Sequence, residues 1–122
     1  MKPISDDMKQ ASASEQAELA YLKIVKSTAC CEQSSKKLKF KLLYAGFKDE
    51  AIDIALKRVK DLRMVDDERY SNMLLRKKFN NRNKAYAILY EIEQLGFDPE
   101  GLEDYEYFSD RLKALSNKER SI

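Results

Sequence analysis

The stretch LLYAGF at residues 42–47 recurs in altered form as IEQLGF at residues 92–97, fifty positions later. Both copies end in Gly-Phe, and they hold two of the three glycines in the chain. A segment with acidic residues and spaced apolar residues follows each copy. Self-similarity at a fixed period of this size is typical of a repeat built from one supersecondary unit. The sequence therefore predicts an array of small helical modules, in which surfaces rather than a catalytic pocket carry the function.

Apolar residues fall on apolar residues when the first copy is moved forward by fifty positions. Each copy then predicts three helices, and neither set of three is expected to bury its apolar faces alone. The predicted fold is all-α, with two tandem three-helix repeats stacked into an elongated, right-handed or solenoid-like arrangement. The matched pairs are Ile24/Leu74, Val25/Leu75, Leu38/Ile88, Leu42/Ile92, Ile52/Leu102 and Leu62/Leu112.

This alignment of the two copies divides the chain into four predicted segments. Residues 1–14 are polar and lack periodicity, which predicts a disordered N-terminal lead. Residues 15–65 are predicted to form the first repeat and residues 66–115 the second. Residues 116–122 are predicted to be a frayed tail.

Local signals predict where individual helices begin and end. Ser34 suits the N-cap of the second helix, and Gly46 suits its end because glycine takes a positive φ without steric cost. Asp49 is predicted to open the third helix. Asp66 is predicted to cap the fourth, with acidic residues in the first turn that complement the helix dipole. The pair at 98–99, Asp-Pro, is predicted to start the sixth helix, where the missing N–H of proline costs nothing.

The composition, 43% hydrophobic and 36% charged, is that of a charge-rich helical protein with enough apolar residues to fold. No apolar run approaches the roughly 20 residues needed to cross a bilayer. The first residues also lack the apolar core of a secretory signal. These features predict a cytoplasmic protein that does not engage a membrane.

The chain contains no histidine, so it lacks the commonest general base and the commonest metal ligand. Its two cysteines, Cys30 and Cys31, are adjacent and are interpreted as small, partly buried side chains in a reducing compartment. The sequence shows no glycine-rich phosphate loop and no evident pairing of a nucleophile with a base. We therefore predict that the protein is not an enzyme and that it uses no metal or cofactor.

The net charge of +2 conceals strong segregation of charge along the chain. Residues 76–90 hold five bases and no acid, and residues 91–110 hold eight acids and no base. Residues 36–41 add four lysines without an acid. The basic blocks create local fields suited to a polyanionic partner, although each block also fits a solvated helix face. The candidate contacts with a partner or nucleic acid are Arg76, Lys77, Lys78, Arg82 and Lys84, with Lys37 and Lys41 as a weaker second patch.

Aromatic residues crowd the fifth and sixth predicted helices. Aromatic rings beside basic residues can stack on nucleic-acid bases. Core packing is the simpler interpretation for most of them. Tyr107 is set off the main apolar stripe by its helical phase.

The string MVDDERY at residues 64–70 joins the two predicted repeats. It resembles the most recognisable string of the RecX family, in which an apolar residue, two aspartates, a variable residue, an arginine and an aromatic residue open the central repeat. The serine-started helix at 34 and the helix that ends at Gly96 also resemble the family pattern, so the resemblance covers about residues 17–97. The signature residues are interpreted as mainly structural, and they are Asp66, Asp67, Arg69 and Tyr70.

The RecX resemblance implies a function for the chain. Members of that family are non-catalytic tandem three-helix proteins that bind in the groove of the RecA recombinase filament and modulate its ATPase and strand exchange. The partners implied are the RecA filament and DNA, contacted directly or through the filament, with the protein as a monomer or weak homodimer. Family members usually carry three repeats, whereas this chain carries two, and the turn at 80–84 lacks the glycines often found there.

Two other classes of function stay open at this point. A three-helix unit can contain helix-turn-helix geometry, so the chain can also be a small DNA-binding module whose phosphate contacts come from residues 76–84. Alternatively, an apolar face left near the sixth helix can make the chain a self-associating scaffold.

Overall fold

The computed structural model describes residues 1–120, with side chains for residues 1–117. Within these residues the regular structure is helical and no strand is present, which confirms the all-α prediction. The chain divides into two compact units, unit 1 (Met1–Asp66) and unit 2 (Asp67–Ile122). The helices of unit 1 are α1 (Asp6–Lys9), α2 (Ala13–Thr28), α3 (Ser35–Ala45) and α4 (Asp49–Asp61), and those of unit 2 are α5 (Asp67–Arg76), α6 (Arg82–Gln94) and α7 (Tyr105–Arg120).

Helix α3 begins and ends as its sequence predicts. The side chain of Ser34 accepts a hydrogen bond from the backbone N–H of Lys37 at 3.2 Å, which satisfies one of the unpaired donors of the first turn. Gly46 follows the helix with a φ of 102°, and the backbone N–H of Phe47 donates to the carbonyl of Leu42 at 3.2 Å. Between the caps, a narrow apolar stripe faces the core and the remaining side chains face solvent. Helix α3 therefore buries little more than one edge.

The core of unit 1 lies mainly between α2 and α4, with α3 packed against α4. Helix α4 begins at Asp49 as predicted and buries one continuous apolar stripe. The fully buried side chains of this core are Ala20, Ile24, Leu38, Leu42, Ala45, Ile52, Ala55, Val59 and Val65.

Residues 1–14 differ from the disordered lead that their composition predicts. They include α1, and Ile4 joins the core of unit 1 with only 6% of its surface exposed. The backbone N–H of Ile4 donates to the carbonyl of Ala45 at 2.9 Å. The buried amide of Gln16 donates to the carbonyls of Met8 and Lys9 at 2.8 and 3.2 Å. Residues 1–14 are therefore ordered by contacts with residues distant in the sequence, and local composition does not reveal such contacts.

Gly46 is constrained by both its backbone and its surroundings. With φ at 102°, a Cβ atom at this position would lie 3.1 Å from Cε of Lys9 and 3.4 Å from Cγ1 of Ile4. We expect Gly46→Ala to lower the free energy of unfolding by about 1–2 kcal/mol, because an L side chain disfavours the left-handed region. Gly96→Ala is the comparison, since Gly96 has a similar φ of 91° but no atom within 4 Å of its Cβ position, so we expect it to carry the backbone strain without the contacts to Lys9 and Ile4 and to cost less. Urea unfolding followed by circular dichroism measures both; a Gly46 variant as stable as the wild type would contradict the account.

Unit 2 builds its core from α5, α6 and α7. The most deeply buried side chains come from all three helices, and Phe108 of α7 is fully buried at their centre. Tyr70, Leu74 and Leu75 contribute from α5, and Ile92 from α6.

The last helix of unit 2 starts later than the repeat predicts. Residues Pro99–Gly101 form a single turn of 3-10 helix, in which the side chain of Asp98 accepts from the backbone N–H of Glu100. Leu102 is then extended, with a φ of −84° and a ψ of 146°, and α7 begins only at Tyr105. Glycine within the first turn disfavours a helix, and the extended backbone lets Leu102 reach the core. The predicted start of the sixth helix at 98–99 is therefore wrong.

The C-terminal residues, the two cysteines and the apolar character of the helices were each the subject of an expectation above. Helix α7 continues to Arg120, so residues 116–120 are helical rather than frayed, and residues 121–122 lie outside the described part of the chain. Cys30 and Cys31 are both exposed, because they lie in the loop after α2 and not on an inward face. In the described part of the chain, no helix combines the length and apolar character needed to cross a membrane.

Candidate polyanion-binding surface

The basic block of residues 76–84 surrounds the turn between α5 and α6. Arg76 is the last residue of α5, and Lys77 and Lys78 follow it in the turn. Arg82 and Lys84 lie in the first turn of α6, where the side chain of Asn81 accepts a hydrogen bond from the backbone N–H of Lys84 at 2.9 Å. The five basic residues therefore lie on one edge of unit 2, and all five side chains are exposed.

An open groove of about 530 Å³ runs through this edge, and we refer to it as the unit 2 groove. Three cations line it and no carboxylate does. The first turn of α6 contains no acidic residue, so the positive end of the helix dipole adds to the same field. The arrangement favours anionic groups over neutral ones. The lining residues are Lys78, Phe79, Asn80, Lys84, Tyr107 and Arg111.

Arg111 of α7 is the functional candidate that the sequence block did not include. Its guanidinium donates hydrogen bonds to the backbone carbonyls of Arg76 and Lys77, which α5 leaves without helical partners at its C-terminus. The same guanidinium lies 4.6 Å from the ring centroid of Phe79 and 5.5 Å from that of Tyr107. These contacts hold a positive charge in place at the groove. The only signal in the sequence is that Arg111 is the first base after the acidic run of residues 91–110.

Arg76 of the basic block forms an ion pair with a residue of its own unit. Its Nε lies 2.9 Å from Oδ2 of Asp104, a side chain that is 17% exposed. The hydrogen bond and charge of Asp104 raise the pKa of the Arg76 guanidinium further above its already high usual value. The backbone N–H of Asp104 also donates to the side chain of Asn72 on α5, at 3.0 Å. The interpretation that no acid neutralises the block is therefore wrong for Arg76, which joins α5 to the start of α7.

The other basic side chains of the block divide into two groups. The guanidinium of Arg82 donates to the hydroxyl of Ser116 and so ties α6 to α7. Within the described residues, no hydrogen bond or ion pair engages the ammonium groups of Lys77, Lys78 and Lys84. Of these, Lys78 and Lys84 line the unit 2 groove. They are the side chains best placed to contact a partner.

Lys37 and Lys41, the weaker predicted patch, lie on α3 of unit 1. Both are exposed. The ammonium of Lys41 donates a hydrogen bond to the side-chain carbonyl of Gln33 at 3.0 Å, which is a neutral partner. This bond restrains the position of the Lys41 ammonium without placing an opposite charge beside it.

The signature residues lie at the boundary of the two units. Asp66 ends unit 1, and Asp67 is the first residue of α5. Tyr70 is 2% exposed, and its hydroxyl donates to Oε1 of Glu91 at 2.8 Å, which joins α5 to α6. Arg69 is exposed on the same helix. Tyr70 is therefore a core residue of unit 2.

The groups at this surface are suited to binding anions. Among the described residues, no group of three or more cysteine or acidic side chains is placed to hold a metal ion. The unit 2 groove offers lysine point charges, one restrained guanidinium and two aromatic side chains, which suit phosphate and carboxylate groups. Compared with known proteins, the chain matches no family model, no curated protein and no solved structure.

Proposed function

We propose that the protein is a RecX-like regulator that binds the RecA–DNA filament and lowers its ATPase and strand-exchange activities. The observation that carries the proposal is the unit 2 groove, where Lys78, Lys84 and Arg111 present positive charge without a carboxylate among them. A nucleoprotein filament offers phosphates and acidic protein side chains, and both are ligands for such a groove. The resemblance of residues 64–70 to the RecX family supplies the choice of filament.

In this proposal the two units are tandem three-helix repeats, and the protein acts on the filament in the cytoplasm. The lysines supply flexible point charges at the rim of the groove. Arg111 supplies a charge whose orientation is already fixed by the carbonyls of Arg76 and Lys77. Fixing a side chain before binding reduces the entropy lost on binding. The protein performs no chemistry and acts by occupying a surface that strand exchange requires.

Measuring the affinity of variants for RecA filaments tests the proposal. We expect Lys78→Glu with Lys84→Glu to weaken co-sedimentation with RecA filaments on single-stranded DNA by about 10-fold or more, because two charged contacts are reversed. Arg76 is left unchanged, since Arg76→Glu would place a carboxylate against Asp104 and destabilise unit 2. Lys57→Glu with Lys60→Glu on α4 is the matched control, with the same change in net charge on exposed lysines. Equal weakening by the control pair would show that net charge alone matters and would contradict the proposal.

A small DNA-binding module is the second candidate, favoured by the basic residues at the N-terminus of α6. In that case the protein binds bare duplex DNA in a salt-sensitive way, and RecA adds nothing to the affinity. The same Lys78/Lys84 variant weakens both kinds of binding. Comparing bare duplex with RecA filament at one salt concentration separates the two candidates.

A further inference from the structure

A second basic groove lies in unit 1, and of its lysines only Lys41 belongs to a basic block of the sequence. The groove measures about 360 Å³, and we refer to it as the lysine groove. Its four lysines come from three separate segments of the unit: the N-terminal residues, α2 and α3. The lining residues are Met1, Lys2, Lys23, Lys26, Ser27 and Lys41.

The charge of the lysine groove is not compensated by the protein. Within the described residues, no carboxylate forms an ion pair with Lys2, Lys23 or Lys26. Lys41 bonds to the neutral amide of Gln33, and that amide is itself held by the carbonyl and hydroxyl of Ser27 at 2.7 and 2.6 Å. Four positive charges thus line one concave surface. Such a surface concentrates anions, and a bound anion relieves the repulsion between the lysines.

Helix α3 adds an aromatic surface next to this charge. Lys37, Lys41 and Tyr44 are spaced by four and three residues, so they share one face of the helix. Tyr44 is 94% exposed, and Phe40 on the preceding turn is 62% exposed. An exposed ring beside lysines is the arrangement on which unpaired bases stack, and a duplex does not offer its bases in this way.

We propose that unit 1 binds single-stranded nucleic acid, with the phosphates in the lysine groove and a base on Tyr44. The interaction requires no recombinase and uses no residue of the unit 2 groove. It therefore goes beyond the proposed filament binding, and either can fail without the other. Phosphate contacts supply most of the affinity, and they make it dependent on salt but only weakly dependent on sequence.

Fluorescence anisotropy with a labelled oligothymidylate tests this site. We expect Lys23→Glu with Lys26→Glu to weaken binding about 10-fold or more and to reduce the slope of log affinity against log salt by roughly 1.4, since two phosphate contacts are lost. Tyr44→Ala is expected to weaken binding by about 10-fold through loss of stacking. A matched pair with the same change in net charge, Lys57→Glu with Lys60→Glu, is expected to bind like the unmodified protein.

Three results would overturn the proposal. The first is an unmodified protein that does not bind the oligonucleotide at low salt. The second is equal weakening by the Lys57/Lys60 pair, which would show that only net charge matters. The third is duplex DNA bound as tightly as single strands, with Tyr44→Ala having no effect. Circular dichroism checks that each variant folds, and Lys23→Gln with Lys26→Gln replaces the charge reversal if the glutamates prevent folding.

Discussion

Replacing Phe108 by alanine is expected to lower the free energy of unfolding of unit 2 by about 3–5 kcal/mol. Phe108 is fully buried, and its ring centroid lies 5.1 Å from that of Phe79 and 6.2 Å from that of Tyr105. The substitution removes apolar contact with helices α5 and α6 and leaves a cavity between them. A small unit has little stability to lose, so the change removes a large share of the total.

The effect is measured by urea unfolding and located by hydrogen exchange, which is expected to rise across α5–α7. Tyr107→Ala is the neighbouring control. Tyr107 is 51% exposed and contacts Arg76 and Arg111 only at 5.8 and 5.5 Å, so we expect it to cost no more than about 1 kcal/mol. A Phe108→Ala protein within 1 kcal/mol of the wild type would refute the described core. Because Phe79 lines the unit 2 groove, loss of Phe108 is also expected to disorder the groove.

Gln16→Leu is expected to destabilise unit 1 by about 3 kcal/mol, although leucine has nearly the same volume. The fully buried Gln16 amide donates to the carbonyls of Met8 and Lys9, and its carbonyl accepts from the backbone N–H of Lys48 at 2.8 Å. One side chain therefore supplies hydrogen-bond partners to backbone groups at the end of α1 and at the start of α4. Leucine removes all three hydrogen bonds; the carbonyl of Met8 keeps the bond from the backbone N–H of Ala11, but the carbonyl of Lys9 and the N–H of Lys48 lose the Gln16 partner, and a part-buried polar group that loses its partner costs free energy.

The control for Gln16→Leu is Gln94→Leu, at an exposed position near the end of α6. A surface substitution of this kind is expected to change stability by no more than about 0.5 kcal/mol. Hydrogen exchange is expected to show that Gln16→Leu releases residues 4–10 before the rest of unit 1 unfolds. If these residues keep their protection in the variant, Gln16 does not hold the segment.

The parts of the fold that follow local rules could be predicted from the sequence. Ser34, Gly46 and Asp49 mark helix ends because a cap, a left-handed glycine and a first-turn acid act on neighbouring backbone groups. Helix α5 begins at Asp67, directly after Asp66, at the place that the sequence predicts. The late start of α7 could not be predicted in this way, because it depends on the burial of Leu102 against distant residues.

In the candidate sites, too, features set by neighbouring residues could be predicted and features set by distant residues could not. The exposed lysines at 78 and 84 are visible as a block in the sequence, since charge segregation is a local property. The pairing of Arg76 with Asp104 and the capping of α5 by Arg111 join residues 28 and 35 positions apart. The lysine groove likewise brings Lys41 of α3 together with lysines of α2 and of the N-terminal residues. Such sites arise from tertiary packing, and no linear pattern reports them.

The most direct test of the proposed function is the ATPase rate of RecA on single-stranded DNA, measured with increasing amounts of the unmodified protein. We expect the rate to fall as the protein is added, and to stay close to its starting value when the Lys78→Glu, Lys84→Glu variant is added instead. The lysine groove is unchanged in that variant, so this loss of inhibition assigns the effect to the unit 2 groove. An ATPase rate and a strand-exchange yield that stay constant at every concentration of the unmodified protein would contradict the account.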